Sequence, residues 1–217
     1  TPNPKPQTPN PVTQIFSINL YDACSIIYEM MVPFFTENPE NFSQHSLELP
    51  ERSELRIRHK CQPSIYLHLV SGQAEIFGLA LCENYHYQLP NSLTSAYVFA
   101  VTATKVTLLV PKNIELEFYV IPDEDRFFER MLSINLVLDK FRKFARERIA
   151  AGPLTLIIGG SETGKFSLAR ILANYALRTE FSPVLVDLDP RSARLAPKGT
   201  IALAPLKNEV PFSFVEA

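Results

Sequence analysis

The stretch LTLIIGGSETGKFSLARILANYALR, residues 154–178, decides the fold. Its middle fits the phosphate-loop pattern G-x-x-x-x-G-K-[ST] at Gly159, Gly164 and Lys165. It departs at the last position, where Phe166 replaces a hydroxyl residue and Ser167 follows one step late. The flanks supply the context that such a loop needs. LTLII is a continuous apolar run, as expected of a strand buried on both faces of a parallel sheet. Leu168, Ile171, Leu172, Tyr175 and Ala176 fall at helical spacing and line one helix face. VLVDL (184–188) reads as a second strand. The sequence therefore predicts a βαβ unit with its glycine loop at the first strand–helix junction.

A phosphate loop works because consecutive backbone N–H groups curl around an anion at a helix N-terminus. Glycine serves where the backbone turns tightly or approaches the phosphate closely. Gly159, Gly160, Ser161, Glu162, Thr163, Gly164, Lys165, Phe166 and Ser167 are the candidate nucleotide-binding residues, with Lys165 as the point charge on the terminal phosphates. The missing hydroxyl is normally a ligand of magnesium. A phenyl ring cannot serve a hard cation that requires oxygen. Ser167 lies about 100° further round the helix and cannot substitute. The pattern keeps the anion site and weakens the metal site. Asp189, at the end of VLVDLD, is the candidate metal or catalytic carboxylate, because ligands of open α/β sheets bind at the C-terminal ends of strands. A turn cap before Pro190 is the competing role.

Upstream, the pattern changes. Six short β-rich runs lie at 54–58, 64–70, 73–78, 96–101, 105–110 and 114–120, separated by turn residues such as Pro63, Gly72, Pro90 and Pro111. SIYLHLV and IELEFYV alternate faces with period two. Together the runs predict an antiparallel β-sandwich or barrel over 47–121. Residues 122–152 predict one connecting helix with an apolar stripe of Phe127, Met131, Ile134, Leu138, Phe141 and Ala145. Asp123, Glu124 and Asp125 open it, and Lys140, Arg142, Lys143, Arg146 and Arg148 close it, which complements the helix dipole. The basic end either meets RNA phosphates or is a solvated helix end. Residues 1–46 form an extension: a Pro-rich lead (1–14) and an apolar segment (15–35) interrupted by Asp22, Glu29 and Pro33. A membrane span needs about 20 mostly apolar residues, so a docked helix is the better expectation there, and no membrane association is expected.

The net charge of −2 carries no global basic field, so any RNA contact is local. Cys24, Cys61 and Cys82 show no CxxC spacing, which argues for reduced thiols rather than a disulfide framework or zinc site.

The set SGQAEIFGLAL (71–81), GPLTLIIGGSETGKFSLARILANYALR (152–178), VLVDLDP (184–190), Gly199 and IALAP (201–205) resembles the Clp/Grc-type polynucleotide 5′-hydroxyl kinases. Within them it is most similar to the fungal Clp branch of the pre-mRNA cleavage and polyadenylation factor. The resemblance covers roughly residues 47–206. It implies an N-terminal β-sandwich, then a phosphate-loop NTPase-like domain with a parallel sheet, of which 153–217 is the first part. The chain on this reading is an N-terminal fragment. It also implies ATP, with or without Mg²⁺, other subunits of the cleavage and polyadenylation factor and RNA as partners, and a nuclear location. Active members carry a hydroxyl after the loop lysine and a Gly-Gln pair after the strand-end Asp. Here those positions hold Phe166 and Pro190-Arg191. Glu54 in ERSELRI resembles an acidic contact to the nucleotide base, with a solvent-facing strand residue as the alternative. The expectation is an ATP-binding scaffold for mRNA 3′-end processing without kinase turnover. An RNA 5′-hydroxyl kinase and a module that binds no nucleotide are the alternatives.

Overall fold

A computed structural model describes residues 31–32, 39–58, 65–83, 85–89, 95–124, 126–161, 163–191 and 195–207. Its N-terminal part is a sandwich of two five-stranded antiparallel sheets. The first has the order β1-β7-β4-β9-β2, with β1 Met31–Val32, β2 Phe42–Leu49, β4 Ile65–Ser71, β7 His86–Leu89 and β9 Thr104–Pro111. The second has the order β10-β3-β8-β5-β6, with β3 Ser53–Arg58, β5 Ala74–Ile76, β6 Leu79–Ala80, β8 Ser95–Ala100 and β10 Glu117–Pro122. The core follows from alternation. Leu55, Ile57, Ile76, Ala96 and Val98 of one sheet meet Ile65, Leu67, Leu69, Val106 and Leu108 of the other. Burying each large aliphatic chain contributes roughly 1.5–3 kcal/mol, so these residues hold the sandwich.

All six β-rich runs read from the sequence contribute strands. The sandwich begins earlier than Leu47: β2 starts at Phe42 and pairs along its whole length with β9. The last run is shorter than read, since β10 starts at Glu117 and not at Ile114. Most of the apolar segment 15–35 lies outside the described residues, apart from Met31–Val32 on the edge beside β7. Among the described residues no helix is long and apolar enough to cross a membrane.

Helix α1 (Phe127–Glu147) follows, its first turn capped by the Asp123 carboxylate, which accepts the N–H groups of Phe127 at 2.8 Å and Phe128 at 3.2 Å. Phe128 stacks on Phe99 of β8 with ring centroids 3.8 Å apart, seating the helix on the second sheet. Of the predicted stripe, Met131 and Ala145 are buried, while Phe127, Ile134 and Phe141 are exposed. Leu132, Leu136 and Val137 are exposed as well, so α1 is apolar on several sides and the simple amphipathic reading fails.

Helix α2 (Lys165–Arg178) leads to β11 (Val184–Asp187), which pairs antiparallel with β12 (Ala202–Pro205). This corrects two expectations. LTLII is not a paired strand among the described residues, and Leu154 and Ile158 are 96% and 84% exposed. An apolar run becomes a buried parallel strand only when neighbours flank it on both sides, and no such neighbour is present among the described residues. The partner of VLVD is β12, so the described residues form loop, helix and antiparallel pair rather than a closed βαβ unit.

The two parts meet where α2 crosses the β5–β6 hairpin. Glu75 of β5, buried, accepts the Tyr175 hydroxyl and an Arg178 Nη1–H at 2.9 Å. Asn174, fully buried, donates from Nδ2 to the Phe77 carbonyl at 2.9 Å. On the far side, Arg142 of α1 donates to Asp139 at 2.8 Å, and the Thr179 hydroxyl lies 3.2 Å from the same carboxylate. Burial, and then the neighbouring Glu75 charge, pushes the Tyr175 phenol well above its ordinary value of 10.0. A raised folded-state value means that the native state keeps its proton where the unfolded chain has lost it. The contribution is therefore fully present below about pH 10 and falls as pH rises beyond it. Urea unfolding of the full-length protein between about pH 9 and about pH 11 should show stability falling with pH, and Tyr175→Phe should reduce that slope by up to about 1.4 kcal/mol per pH unit. Burial raises the Tyr87 phenol in the same direction, so part of the slope should survive the substitution.

Candidate phosphate-loop site

The loop between Ile158 and α2 is shaped by its glycines. Gly164 precedes the helix with φ +77°, a left-handed conformation that disfavours a side chain. A Cβ on Gly159 would stand 2.8 Å from Thr163 Oγ1, so a side chain there would displace the Thr163 hydroxyl. The Thr163 hydroxyl donates to the Gly160 carbonyl at 3.0 Å, and the Lys165 ammonium donates to that same carbonyl. The loop is thus curled over the α2 N-terminus, where N–H groups and the helix dipole favour an anion. Lys165 sits on the same curl and can exchange its carbonyl partner for a phosphate oxygen.

A wide cleft runs from this loop to the second sheet of the sandwich. Gly159, Ser161, Thr163, Gly164, Lys165, Phe166, Ser167, Asp189 and Glu54 all line it. Glu162 lies outside the described residues, and Gly160 contributes through its carbonyl. The predicted loop residues and Glu54 are thus among the many residues that line one broad, open space between the two parts. Glu54, in register with Phe99 and Ile121, is held by Arg56, whose Nε and Nη2 lie 3.2 and 3.4 Å from the two carboxylate oxygens. The hydrogen bond it donates to Glu54, more than the Glu54 charge, raises the Arg56 guanidinium above its ordinary range. This pair presents acceptor and donor side by side.

Asp189 does what its competing role describes. Its carboxylate accepts the Arg191 N–H at 3.1 Å and Arg191 Nε at 3.3 Å, which holds its proton affinity below the usual carboxylate range. The backbone hydrogen bond is the larger cause. Asp187 accepts the Asp189 N–H at 3.1 Å. Both carboxylates are engaged with their own turn, at the rim of the cleft.

Phe166 is half-buried, and its ring lies 5.1 Å from the Arg170 guanidinium. The position that would carry a metal-binding hydroxyl is used for packing. Among the described residues no group of three or more His, Cys, Asp or Glu side chains is arranged to hold a metal. The donor set fits a phosphate, and position 166 offers no oxygen to a magnesium ion that such a phosphate would carry.

The arginines at the basic end of α1 make contacts within the chain. Arg146 donates to the Glu180 carbonyl at 2.8 Å and lies 4.0 Å from the Phe181 ring, and Arg148 lies 3.7 Å from the Phe144 ring. Lys140 and Lys143 are exposed. Sequence reasoning missed Arg170, Asn174 and Arg178 as positioning residues. They recur at intervals of four from Phe166, a polar ridge that reads in the sequence as a solvent-facing side of the helix.

The fold and site together define a β-sandwich protein joined by one helix to a phosphate-loop region. Residues 48–145 match the family described as the N-terminal beta-sandwich domain of polyadenylation factor, and residues 159–215 match the mRNA cleavage and polyadenylation factor CLP1 P-loop. The mRNA cleavage and polyadenylation factor CLP1 of Scheffersomyces stipitis is 26% identical over 194 residues, covering 83% of this chain and 43% of its own length. The Xenopus tropicalis protein named polyribonucleotide 5′-hydroxyl-kinase Clp1 is 32% identical over 154 residues, covering 71% of this chain and 34% of its own. A solved structure of the interface between Pcf11p and Clp1p, which also concerns ATP loss in a point mutant, superposes with a TM-score of 0.66 at 26% identity. That match covers 79% of this chain and 40% of the other. The chain belongs to the CLP1 family, and it spans about two fifths or less of the length of these relatives.

The tightness at Gly159 has a measurable consequence. Gly159→Ala in the full-length protein should open the loop at Thr163 and weaken binding of a fluorescent ATP analogue at least tenfold, because the N–H groups no longer converge. The sandwich melting transition should stay unchanged.

Proposed function

We propose that the protein is an ATP-holding scaffold subunit of the pre-mRNA cleavage and polyadenylation machinery, acting in the nucleus without phosphoryl transfer. One observation carries the reading. The loop retains Gly159, Gly164 and Lys165 at a helix N-terminus, while Phe166, where the metal-binding hydroxyl belongs, is turned onto Arg170. Loop N–H groups and Lys165 would hold the phosphates. Glu54 would accept a hydrogen bond from the amino group of the base, with Arg56 fixing the carboxylate. A bound triphosphate would then bridge sandwich and loop across the cleft.

Phosphoryl transfer needs the charge on the departing phosphoryl to be neutralised, chiefly by a metal ion. Here the hydroxyl ligand is replaced, and the Asp189 carboxylate accepts hydrogen bonds from Arg191 in its own exposed turn. Binding is retained where turnover is not. As in the Pcf11p–Clp1p structure, other subunits of the cleavage factor are the proposed partners, with RNA reaching the machinery through them.

The kinase alternative draws on the name of the Xenopus tropicalis relative. The deciding assay gives full-length protein 5′-hydroxyl RNA and γ-labelled ATP. The expected result is nucleotide retained through purification, no labelled RNA, and loss of retention in Lys165→Ala. Labelled RNA from the unmodified protein would replace the scaffold by a kinase. Absence of retained nucleotide would favour a bare interaction module. Phe166→Thr should strengthen magnesium-dependent ATP binding and leave transfer absent, since the residues after Asp189 are unchanged.

A further inference from the structure

Phe166, Arg170, Asn174 and Arg178 stand at intervals of four along α2 and so form one ridge. The ridge meets the tip of the β5–β6 hairpin. Arg178 Nη1 donates to the Gly78 carbonyl at 3.3 Å, and Asn174 to the Phe77 carbonyl. The Arg170 guanidinium lies 4.9 Å from the Phe77 ring and 5.1 Å from the Phe166 ring, and Arg170 is only 5% exposed. A cation between two rings gains most when it is withdrawn from water in this way. The tip itself is strained, with Phe77 at φ +49°, a conformation that an aromatic residue adopts only when its surroundings impose it. The outer ring of the stack belongs to the residue next to Lys165, in the helix turn that forms the anion site.

We infer that Phe166 is a positioning residue that couples the phosphate loop to the sandwich: through Arg170 it holds the Phe77–Gly78 tip, so that a triphosphate in the loop and docking of the sandwich strengthen each other. This rests on the loop being a nucleotide site. The coupling is reciprocal by thermodynamic necessity. A ligand that orders the first turn of α2 fixes the Phe166 ring, the ring fixes Arg170, and Arg170 fixes the tip. A threonine or serine at this position would serve a metal and leave Arg170 with one ring. The chain holds an inter-domain stack where a metal contact would stand.

The test is amide hydrogen exchange by mass spectrometry on full-length protein, with ATP as the probe and EDTA present to remove divalent ions. Native protein is compared with Phe166→Ala and with Phe166→Leu, which keeps apolar bulk without a π face. Without ATP, residues 73–81 should exchange roughly tenfold faster in both variants, the loss of one buried cation–π contact. Residues 104–111 in the sandwich core should be unchanged, which excludes general unfolding. ATP should slow exchange at 73–81 in native protein and fail to do so in Phe166→Leu. Unchanged exchange at 73–81 in the variants without ATP would overturn the stack as a coupling element. ATP protection at 159–167 in native protein without any effect at 73–81 would overturn the coupling alone. No ATP protection at 159–167 in native protein would remove the nucleotide reading itself.

Discussion

The Glu75 carboxylate organises the junction between the two parts of the molecule. It is buried at the end of a sheet, where an unpaired charge would be costly. Both partners that satisfy it, the Tyr175 hydroxyl and the Arg178 guanidinium, come from α2. Two donors three residues apart on one helix fix its rotation about its own axis as well as its position. Once that rotation is fixed, the opposite end of the helix, with Gly164 and Lys165, faces the cleft. The phosphate loop is thus positioned from its far end. Removing Glu75 would strand the buried Tyr175 hydroxyl, a penalty of about 1–3 kcal/mol, and leave the exposed Arg178 with the Gly78 carbonyl alone.

Phosphate recognition and metal recognition have separate structural origins here. The first depends on backbone shape: the close approach at Gly159, the left-handed Gly164 and the dipole of α2. The second depends on individual side chains. Phe166 and Asp189 have both found other contacts, in a stack and in a turn respectively. A backbone feature survives substitutions that a side-chain feature does not, which is why the loop can remain well formed beside a phenylalanine at position 166.

Much of this was legible in the sequence. Alternation exposed the strands of the sandwich, and the glycine spacing marked the loop. The strand β2 was harder to see because FSQHSLEL carries polar residues on an edge. LTLII was read as a buried strand because periodicity records apolarity and not the presence of neighbours. On α2, the apolar stripe led to Leu172, Tyr175 and Ala176, which are buried, but gave no hint of Arg170 and Asn174, which are buried too. A polar ridge at helical spacing reads as a solvent face. Only the partner hairpin, 97 residues distant in sequence for the Asn174–Phe77 bond, reveals it as a contact. Glu54 and the loop could be named separately, but their meeting in one cleft depends on that docking.

Gly78 gives the junction a fixed gauge. A Cβ there would approach the Ile171 carbonyl oxygen to 2.9 Å, and the nearest helix atoms are largely main chain. At this one point hairpin and helix come together main chain against main chain, beside the side-chain contacts that surround it. Such a stop has a length set by van der Waals radii alone. A residue with a side chain at 78 would part hairpin and helix at this point, so the closeness of the two domains rests on one position that carries no side chain.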